Sequence, residues 1–236
     1  MLVKLIQDKG ASLEINEKYS FRFAEDILIS VKPLSSLWSE ILECIHSIGD
    51  DDIRSRHLEI QSQESTKSLS KAINQLLDER LSAKRWNRQS GIFSSSEYQD
   101  TTGSTWTLDF SKSTKLENGE TTGIAIEVAF NHAEAAAWNL TKPMLAAEIN
   151  DVRVQTNIGE GVGIVIVASS ELKKNGAFDG AIGDFSRYEK TLKAMRNTLT
   201  VPILLIGLGA PKTFKVQAKE QKNSPYKTGQ IVSLSD

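Results

Sequence analysis

Two acidic residues in the middle of the chain have the type and spacing of a metal site. Asp109 lies near the end of one strand-like stretch, and Glu127 lies inside the apolar run GIAIEVAF at residues 123–130. Asn118-Gly119 between them is a strong hairpin signal, so we expect the two strands to be antiparallel neighbours. Carboxylate oxygens are hard ligands that suit Mg²⁺. The pair therefore predicts a magnesium site, although a solvent-facing glutamate on a half-exposed strand would give the same pattern.

The strand that holds Glu127 divides its side chains between two different faces, because successive residues of a strand point in opposite directions. One face is uniformly apolar and comprises Ile124, Ile126, Val128 and Phe130. The other is small or polar and comprises Gly123, Ala125, Glu127, Ala129 and Asn131. We expect the apolar face to lie in the core and the second face to form the floor of a cleft into which Glu127 projects.

The segments around this hairpin predict an α/β fold, in which a central mixed β-sheet carries helices on both faces. Strands are expected at residues 19–31, 98–110, 123–130, 161–169 and 201–209, the last two being continuous buried runs. Helices are expected at residues 33–49, 66–84, 131–151 and 185–199, with a kink or break near Thr141 because Pro143 follows it. The segment GDDDIRSRH at 49–57 is typical of a solvated turn. We expect one domain over residues 1–236, with its core at 19–211 and a polar tail at 212–236.

Composition excludes several classes of protein but does not decide whether the partner is a nucleic acid. The chain has 28 basic and 30 acidic residues and a net charge of −2, so a nucleic-acid partner would need a local basic face. A single cysteine, Cys44, excludes an internal disulfide framework. No apolar run reaches the roughly 20 residues of a membrane helix, so we expect a soluble cytoplasmic protein without a membrane partner. No Gly-rich phosphate loop or nucleophile elbow supports the alternative of a small-molecule enzyme.

Five segments, taken in order, resemble the BglII/BstYI-like type II restriction endonucleases of the PD-(D/E)XK nuclease superfamily. The central two are LDFSK at 108–112 and GIAIEVAFNH at 123–132. The others are LLDERLSAKRWNRQ at 76–89, VGIVIVASSEL at 162–172 and VPILLIGLGAP at 201–211. The resemblance implies a restriction-endonuclease-like fold and a deoxyribonuclease of a prokaryotic restriction-modification system. It also implies Mg²⁺ as the cofactor, for which Mn²⁺ is expected to substitute.

The resemblance assigns roles residue by residue. Asp109 and Glu127 match the two metal-binding carboxylates of the family, and Gln89 falls near a polar active-site residue of its members. Lys112 matches the family lysine of the Asp-Phe-x-Lys motif. Ala129 stands where members carry Gln, Glu or Lys, so only its backbone carbonyl could contribute to metal binding.

The alanine leaves three explanations open. Another residue supplies the role of the third motif position, the chain is inactive, or that role is dispensable here. We favour a move, because Asn131 lies on the same strand face as Glu127. His132 and Glu134 begin the following helix and are further catalytic candidates. A structural role for His132 would fit the sequence equally well.

Recognition of DNA requires groups that reach base edges in the major groove. Asn131, His132 and the glycine-rich loop after the third strand, residues 169–187, are the candidates, although that loop could equally be an ordinary flexible one. Basic residues placed to contact phosphates, which position a protein without reading sequence, are Lys84, Arg85, Arg88, Lys112, Lys173, Lys174 and Arg187.

The resemblance implies Mg²⁺-dependent hydrolysis of double-stranded DNA at a short palindromic site, leaving 5′-phosphates. Several members recognise sites with a GATC core, which is therefore the site it suggests. Members are homodimers, and a symmetric dimer suits a palindrome, so we expect a homodimer. The alternative is a catalytically inactive DNA-binding protein on the same scaffold, and Ala129 is its main support.

Overall fold

The computed structural model describes residues 11–92, 106–147, 161–221 and 227–234. Within these ranges the strands are β1 (Ile15–Phe21), β2 (Asn87–Gly91), β3 (Thr107–Lys115), β4 (Thr121–Val128), β5 (Val162–Ala168), β6 (Ile203–Leu208), β7 (Phe214–Glu220) and β8 (Lys227–Ser233). The helices are α1 (Ala24–Ser30), α2 (Lys32–His46), α3 (Asp50–Gln63), α4 (Ser70–Ala83), α5 (Ala136–Ala147), α6 (Ser170–Asn175) and α7 (Phe185–Ala194).

A six-stranded mixed sheet lies at the centre of the fold, in the order β1-β6-β5-β4-β3-β2. Strands β4, β5 and β6 are parallel to one another, whereas β1, β2 and β3 each pair antiparallel with a neighbour. The predicted mixed α/β sheet is confirmed. The hairpin β3–β4 turns through Asn118-Gly119, where Gly119 has φ +86°, a conformation that favours glycine.

Two hydrophobic cores lie on opposite faces of this sheet. The first contains Ile124 and Ile126 of β4 together with residues of α2 and α4. The second contains Ala125 of β4 and Ala129, just after that strand, together with residues of α5 and α7. Since both faces of β4 are covered, every side chain on it that is not apolar must find a partner inside the fold.

Some local predictions were wrong because tertiary packing overrode the local pattern. Residues 24–30 form helix α1 rather than a continuation of the first strand, since Ala24 and Leu28 are spaced by one helical turn and are buried. Segment 49–57 begins helix α3 instead of forming a solvated turn. There the side chain of Asp52 accepts a hydrogen bond of 3.0 Å from the backbone N–H of Gly49, which caps the helix.

Other elements differ in extent from the prediction. Strand β3 continues to Lys115 instead of ending at Phe110, and β2 and α6 were not predicted. Helix α5 runs through Pro143 without ending there, and its proline is buried. The part of the expected strand at 98–110 that precedes Trp106 lies outside the described residues.

The tail after residue 211 contributes to the core. Strands β7 and β8 form a two-stranded antiparallel ribbon, and Phe214 and Val216 are buried in the first core. The carboxylate of Asp50 at the start of α3 accepts hydrogen bonds from the backbone N–H groups of Lys212 and Thr213, at 2.9 and 2.8 Å. In the described ranges, no helix is both long and apolar enough to cross a membrane.

Candidate active site

The hairpin β3–β4 places the two predicted carboxylates opposite each other. Phe110 pairs with Ile126, so Asp109 and Glu127 occupy the next position of the same register. Side chains at directly opposed positions of an antiparallel pair lie on the same face. Both carboxylates therefore belong to the face that α5 covers, at the edge where β4 ends.

The carboxylate of Asp109 is held by one backbone and one side-chain donor. Its Oδ2 accepts a hydrogen bond of 2.8 Å from the backbone N–H of Val128. Its Oδ1 accepts one of 3.2 Å from Nε2 of Gln89 on β2. Gln89 has φ +45°, and its Oε1 accepts a bond of 3.0 Å from Thr107. A non-glycine residue in this strained conformation beside a carboxylate is typical of functional sites.

Glu127 is almost completely buried, with 3 % of its surface exposed. Its Oε1 forms an ion pair with Nζ of Lys142 on α5. Burial and the neighbouring Asp109 carboxylate raise the pKa of Glu127 to about 8, although Lys142 lowers it. The backbone N–H of Asp109 also lowers this pKa, but Oε2 of Glu127 has no donor in hydrogen-bond geometry.

The expectation that this face of β4 forms an open cleft floor was wrong. Ala125 and Ala129 are fully buried in the second core, because α5 and α7 pack over them. The cleft opens instead beside Asp109, at the edge of the sheet. It has a volume of about 250 Å³ and is lined by Asn74, Gln75, Asp78, Arg88, Gln89, Asp109, Phe110 and Val128.

The two carboxylates fit a magnesium ion. Among the described residues, no group of three or more His, Cys, Asp or Glu side chains could hold a metal, so this is not a site with many protein ligands. Mg²⁺ is commonly bound through one or two carboxylates together with waters and substrate phosphates. The buried, unsatisfied Oε2 of Glu127 is the kind of oxygen that such an ion would complete. The backbone carbonyl of Ala129 remains a predicted ligand.

The three residues proposed to replace the missing side chain at Ala129 have other surroundings. Asn131 Oδ1 accepts hydrogen bonds from Nδ2 of Asn139 at 2.8 Å and from the hydroxyl of Tyr188 at 3.4 Å. His132 and Glu134 are exposed. Neither forms a hydrogen bond or ion pair with Glu127 within the described part of the chain.

The segment after β4 is joined to the loop that was predicted to read DNA. His132 and Ile182 form an isolated antiparallel bridge, and the backbone N–H of Ala133 donates to the carbonyl of Ala181 at 2.8 Å. The backbone N–H of Gly183 donates to the carbonyl of Asn131 at 3.2 Å. The two predicted recognition segments therefore form one continuous surface beside the end of β4.

The predicted phosphate contacts fall into three groups. Ion pairs engage Lys84 with Glu43 at 2.6 Å, Arg88 with Asp78 at 2.5 Å and Lys112 with Glu40 at 2.6 Å. Nζ of Lys173 donates to the carbonyl of Ile182 at 2.6 Å. The exposed residues Arg85, Lys174 and Arg187 complete the set. Lys112 points to the face of β3 opposite Asp109, so the structure does not bring it to the carboxylate pair.

Sequence reasoning missed Lys142, the residue that contacts Glu127. A signal for it exists in the sequence, since Lys142 is the one charged residue in AAWNLTKPMLAA, the whole of α5. A lone cation in an otherwise uncharged, half-buried helix needs an anionic partner inside the fold. The pattern could not name that partner, because the contact depends on how α5 packs against the sheet.

Comparisons with known proteins agree with this architecture. A family model described as restriction endonuclease BglII/BglIII matches residues 16–208 of the chain. The fold is similar to that of restriction endonuclease BglII in complex with a DNA 16-mer, at 18 % identity and a TM-score of 0.54, covering 92 % of this chain and 99 % of that one. Free BglII matches at 13 % identity and a TM-score of 0.42, covering 92 % and 98 %. No curated protein sequence matches. The chain therefore belongs to the BglII/BglIII family of type II restriction endonucleases.

Proposed function

We propose that this enzyme hydrolyses phosphodiester bonds of double-stranded DNA at a short palindromic site, with Mg²⁺ held by Asp109 and Glu127, and leaves 5′-phosphates. The observation that carries the proposal is the facing pair of carboxylates, one of which keeps a buried and unsatisfied oxygen. Two carboxylates brought together at a strand end raise each other's energy, and a divalent cation relieves that repulsion.

The residues of the chain prepare this site before any metal binds. The backbone N–H of Val128 and the side chain of Gln89 fix the two oxygens of Asp109. Glu127 is fixed by its burial and by Lys142. When bound, Mg²⁺ supplies positive charge to the reacting phosphate and a means of activating water. The protein holds its ligands in a geometry that needs little rearrangement, which is the usual source of electrostatic catalysis.

The surface formed by Asn131, His132 and the loop containing Ile182 supports the recognition part of the proposal. It lies next to the end of β4 and presents exposed polar side chains. Buried Asn139 donates at 2.8 Å to Asn131 and at 2.7 Å to Tyr188, which ties the start of this surface to α5 and α7. We infer that it meets base edges, that a homodimer presents two such surfaces to a palindrome, and that a GATC core is the first site to test.

Supercoiled plasmid tests the proposal directly. In Mg²⁺ the wild-type enzyme is expected to produce discrete fragments. Asp109→Asn is expected to cleave at least about a thousandfold more slowly, because it loses a ligand charge whose electrostatic effect is worth several kcal/mol. It should still shift DNA on a gel in Ca²⁺, since the amide oxygen can still accept from Val128. The matched control is Glu117→Gln in the exposed hairpin turn, which should cleave like the wild type. Undiminished cleavage by Asp109→Asn would refute the site.

The second candidate function is a DNA-binding protein that has lost cleavage, and buried Ala129 is the observation that favours it. It predicts a gel shift by the wild type in Ca²⁺ but no cleavage in either Mg²⁺ or Mn²⁺. Absence of both shift and cleavage at low salt would contradict both candidate functions.

A further inference from the structure

We propose that Lys142 is the positioning residue that replaces the side chain missing at Ala129, holding Glu127 by one oxygen while the other is left for the metal. This inference rests on the proposed function, because it assigns a role within the same site. It extends the site from the β-hairpin to helix α5.

The position of Ala129 explains why the group comes from another element. Ala129 is fully buried in the second core, and its backbone N–H donates to the carbonyl of Ile166 at 2.8 Å. A lysine or glutamine at this position would have to displace α5 or α7, which pack over this face. The packing that excludes a long side chain at 129 also brings α5 onto β4.

The ammonium of Lys142 bridges both strands of the hairpin. It forms the ion pair with Oε1 of Glu127 on β4, and it donates to the backbone carbonyl of Thr107 on β3 at 3.3 Å. The side chains are little exposed, at 13 % for Lys142 and 5 % for Glu127. Further hydrogen bonds help a buried ion pair to keep a defined geometry. The bond from Lys142 to the carbonyl of Thr107 is such a contact.

Only one of the two carboxylate oxygens of Glu127 has a partner in the protein. Oε1 meets Lys142, whereas Oε2 is buried without a hydrogen-bond donor. A buried carboxylate oxygen without a donor costs free energy, so its presence calls for an explanation, and a bound cation would supply one. When a bound cation holds both carboxylates in their charged form, the charges of Asp109, Glu127 and Lys142 sum to −1, so Lys142 anchors one carboxylate without cancelling the negative charge of the site.

A pair of tryptophans joins α5 to the start of β3, the two elements that meet at Lys142. Trp138 precedes Lys142 by one turn of α5, and Trp106 precedes Thr107 at the start of β3. Their rings meet edge to face with centroids 4.4 Å apart. Their exposures are 37 % for Trp138 and 46 % for Trp106, so the pair stands at the surface. This ring contact is a second link between α5 and β3, besides the bond from Lys142 to Thr107, and helps to hold the helix that carries Lys142 on the hairpin.

The test compares Lys142→Met with the wild type under single-turnover conditions at saturating Mg²⁺. We expect Lys142→Met to cleave about a hundredfold more slowly, the usual effect of removing one preorganised electrostatic group, and extra Mg²⁺ should not restore the rate. DNA affinity in Ca²⁺ should stay within about threefold of the wild type, because the ammonium faces Glu127. The matched control is Lys115→Met at the far end of β3, where Lys115 bonds to Thr121, and it should cleave like the wild type.

A second readout does not depend on cleavage. Mn²⁺ should raise the melting temperature of the DNA-free wild type by binding the folded state. The rise should persist in Lys142→Met, since both carboxylates remain, and disappear in Asp109→Asn. Loss of the rise in Lys142→Met would show that the metal cannot bind without Lys142. That result would overturn its assignment as a residue that only positions Glu127 in a site formed by the two carboxylates.

Chemical rescue separates charge from packing. In Lys142→Cys, alkylation by 2-bromoethylamine forms a carbon–sulfur bond, expels bromide and restores an ammonium at nearly the length of lysine. The chain's own cysteine, Cys44, is buried, and wild-type enzyme treated with the same reagent controls for its reaction. We expect recovery of at least about tenfold in rate in proportion to the alkylated fraction measured by mass spectrometry. No recovery by alkylated protein would overturn the inference.

The proposed function and the role of Lys142 can be refuted separately. If the wild type does not cleave DNA, the proposed function fails and the role of Lys142 fails with it. If the wild type cleaves and Lys142→Met cleaves within about threefold of it, the inference alone is refuted. Loss of DNA binding by Lys142→Met in Ca²⁺ would likewise refute it, because Lys142 would then be a DNA-contacting residue.

Discussion

The β3–β4 hairpin carries a lysine–glutamate pair on each of its faces, and the two pairs differ in how fully their polar groups are satisfied. On one face, Lys112 pairs with Glu40 of α2 at 2.6 Å and donates to the carbonyl of Lys84 at 2.8 Å. The indole N–H of Trp86 donates to the same glutamate oxygen at 3.0 Å. On the other face, Lys142 pairs with Glu127, whose second oxygen has no donor.

The difference separates a structural pair from a reactive one. The side chains of Lys112 and Glu40 are 23 % and 29 % exposed, and water reaches part of the pair. Glu127 is desolvated, and its pKa is raised to about 8. A carboxylate buried with one oxygen unpaired does not stabilise the fold, since burying a charge without complete pairing costs free energy. The unsatisfied face is therefore where we place the chemistry.

Removing the side chain of Gln89 tests whether the hydrogen bond to Asp109 contributes to the reactive face of the hairpin. Gln89→Ala is expected to slow Mg²⁺-dependent cleavage by about tenfold to a hundredfold, because a hydrogen bond to a charged group contributes about 1.5–3 kcal/mol. Single-turnover rates on a duplex with one site measure the loss. The melting temperature serves as the control and should barely change, since Gln89 is exposed. An unchanged rate would remove Gln89 from the site.

Breaking the pair on the other face should affect stability instead. Lys112→Met leaves Glu40 with only the indole donor, and a partly exposed ion pair contributes at most about 1 kcal/mol. We expect the melting temperature to fall by about 2–4 °C for a chain of this size. Calorimetry on the variant and the wild type measures the fall. Loss of DNA affinity without any fall in melting temperature would restore Lys112 to the DNA-contacting set.

The carboxylate pair could be predicted from the sequence because its determinants are local. The Asn118-Gly119 turn sets the register of the hairpin, and the register places Asp109 opposite Glu127. The buried runs of β5 and β6 were equally visible, since a nearly continuous series of Val, Ile and Leu indicates a strand covered on both faces.

The contact of Lys142 with Glu127 could not be predicted in this way. It is set by the position of α5 over β4, which depends on the small size of Ala125 and Ala129 and on packing against α7. The alternation of small residues on β4 predicts room for a cleft, but in the structure helix α5 fills that room. Helix α3 was missed for a related reason: its first turn is acidic, and its apolar residues Ile53 and Ile60 are buried by tertiary contacts.

The assignment of Glu127 as a metal ligand is tested by measuring both the cleavage rate and the melting temperature of Glu127→Gln. Burial makes the charge of Glu127 costly in the metal-free enzyme and raises its pKa to about 8, so a neutral amide of the same shape should keep the melting temperature close to that of the wild type. We predict that Mg²⁺-dependent cleavage falls at least about a thousandfold, because the amide lacks the charge that the metal requires. Cleavage within about tenfold of the wild type by a folded Glu127→Gln would contradict the account.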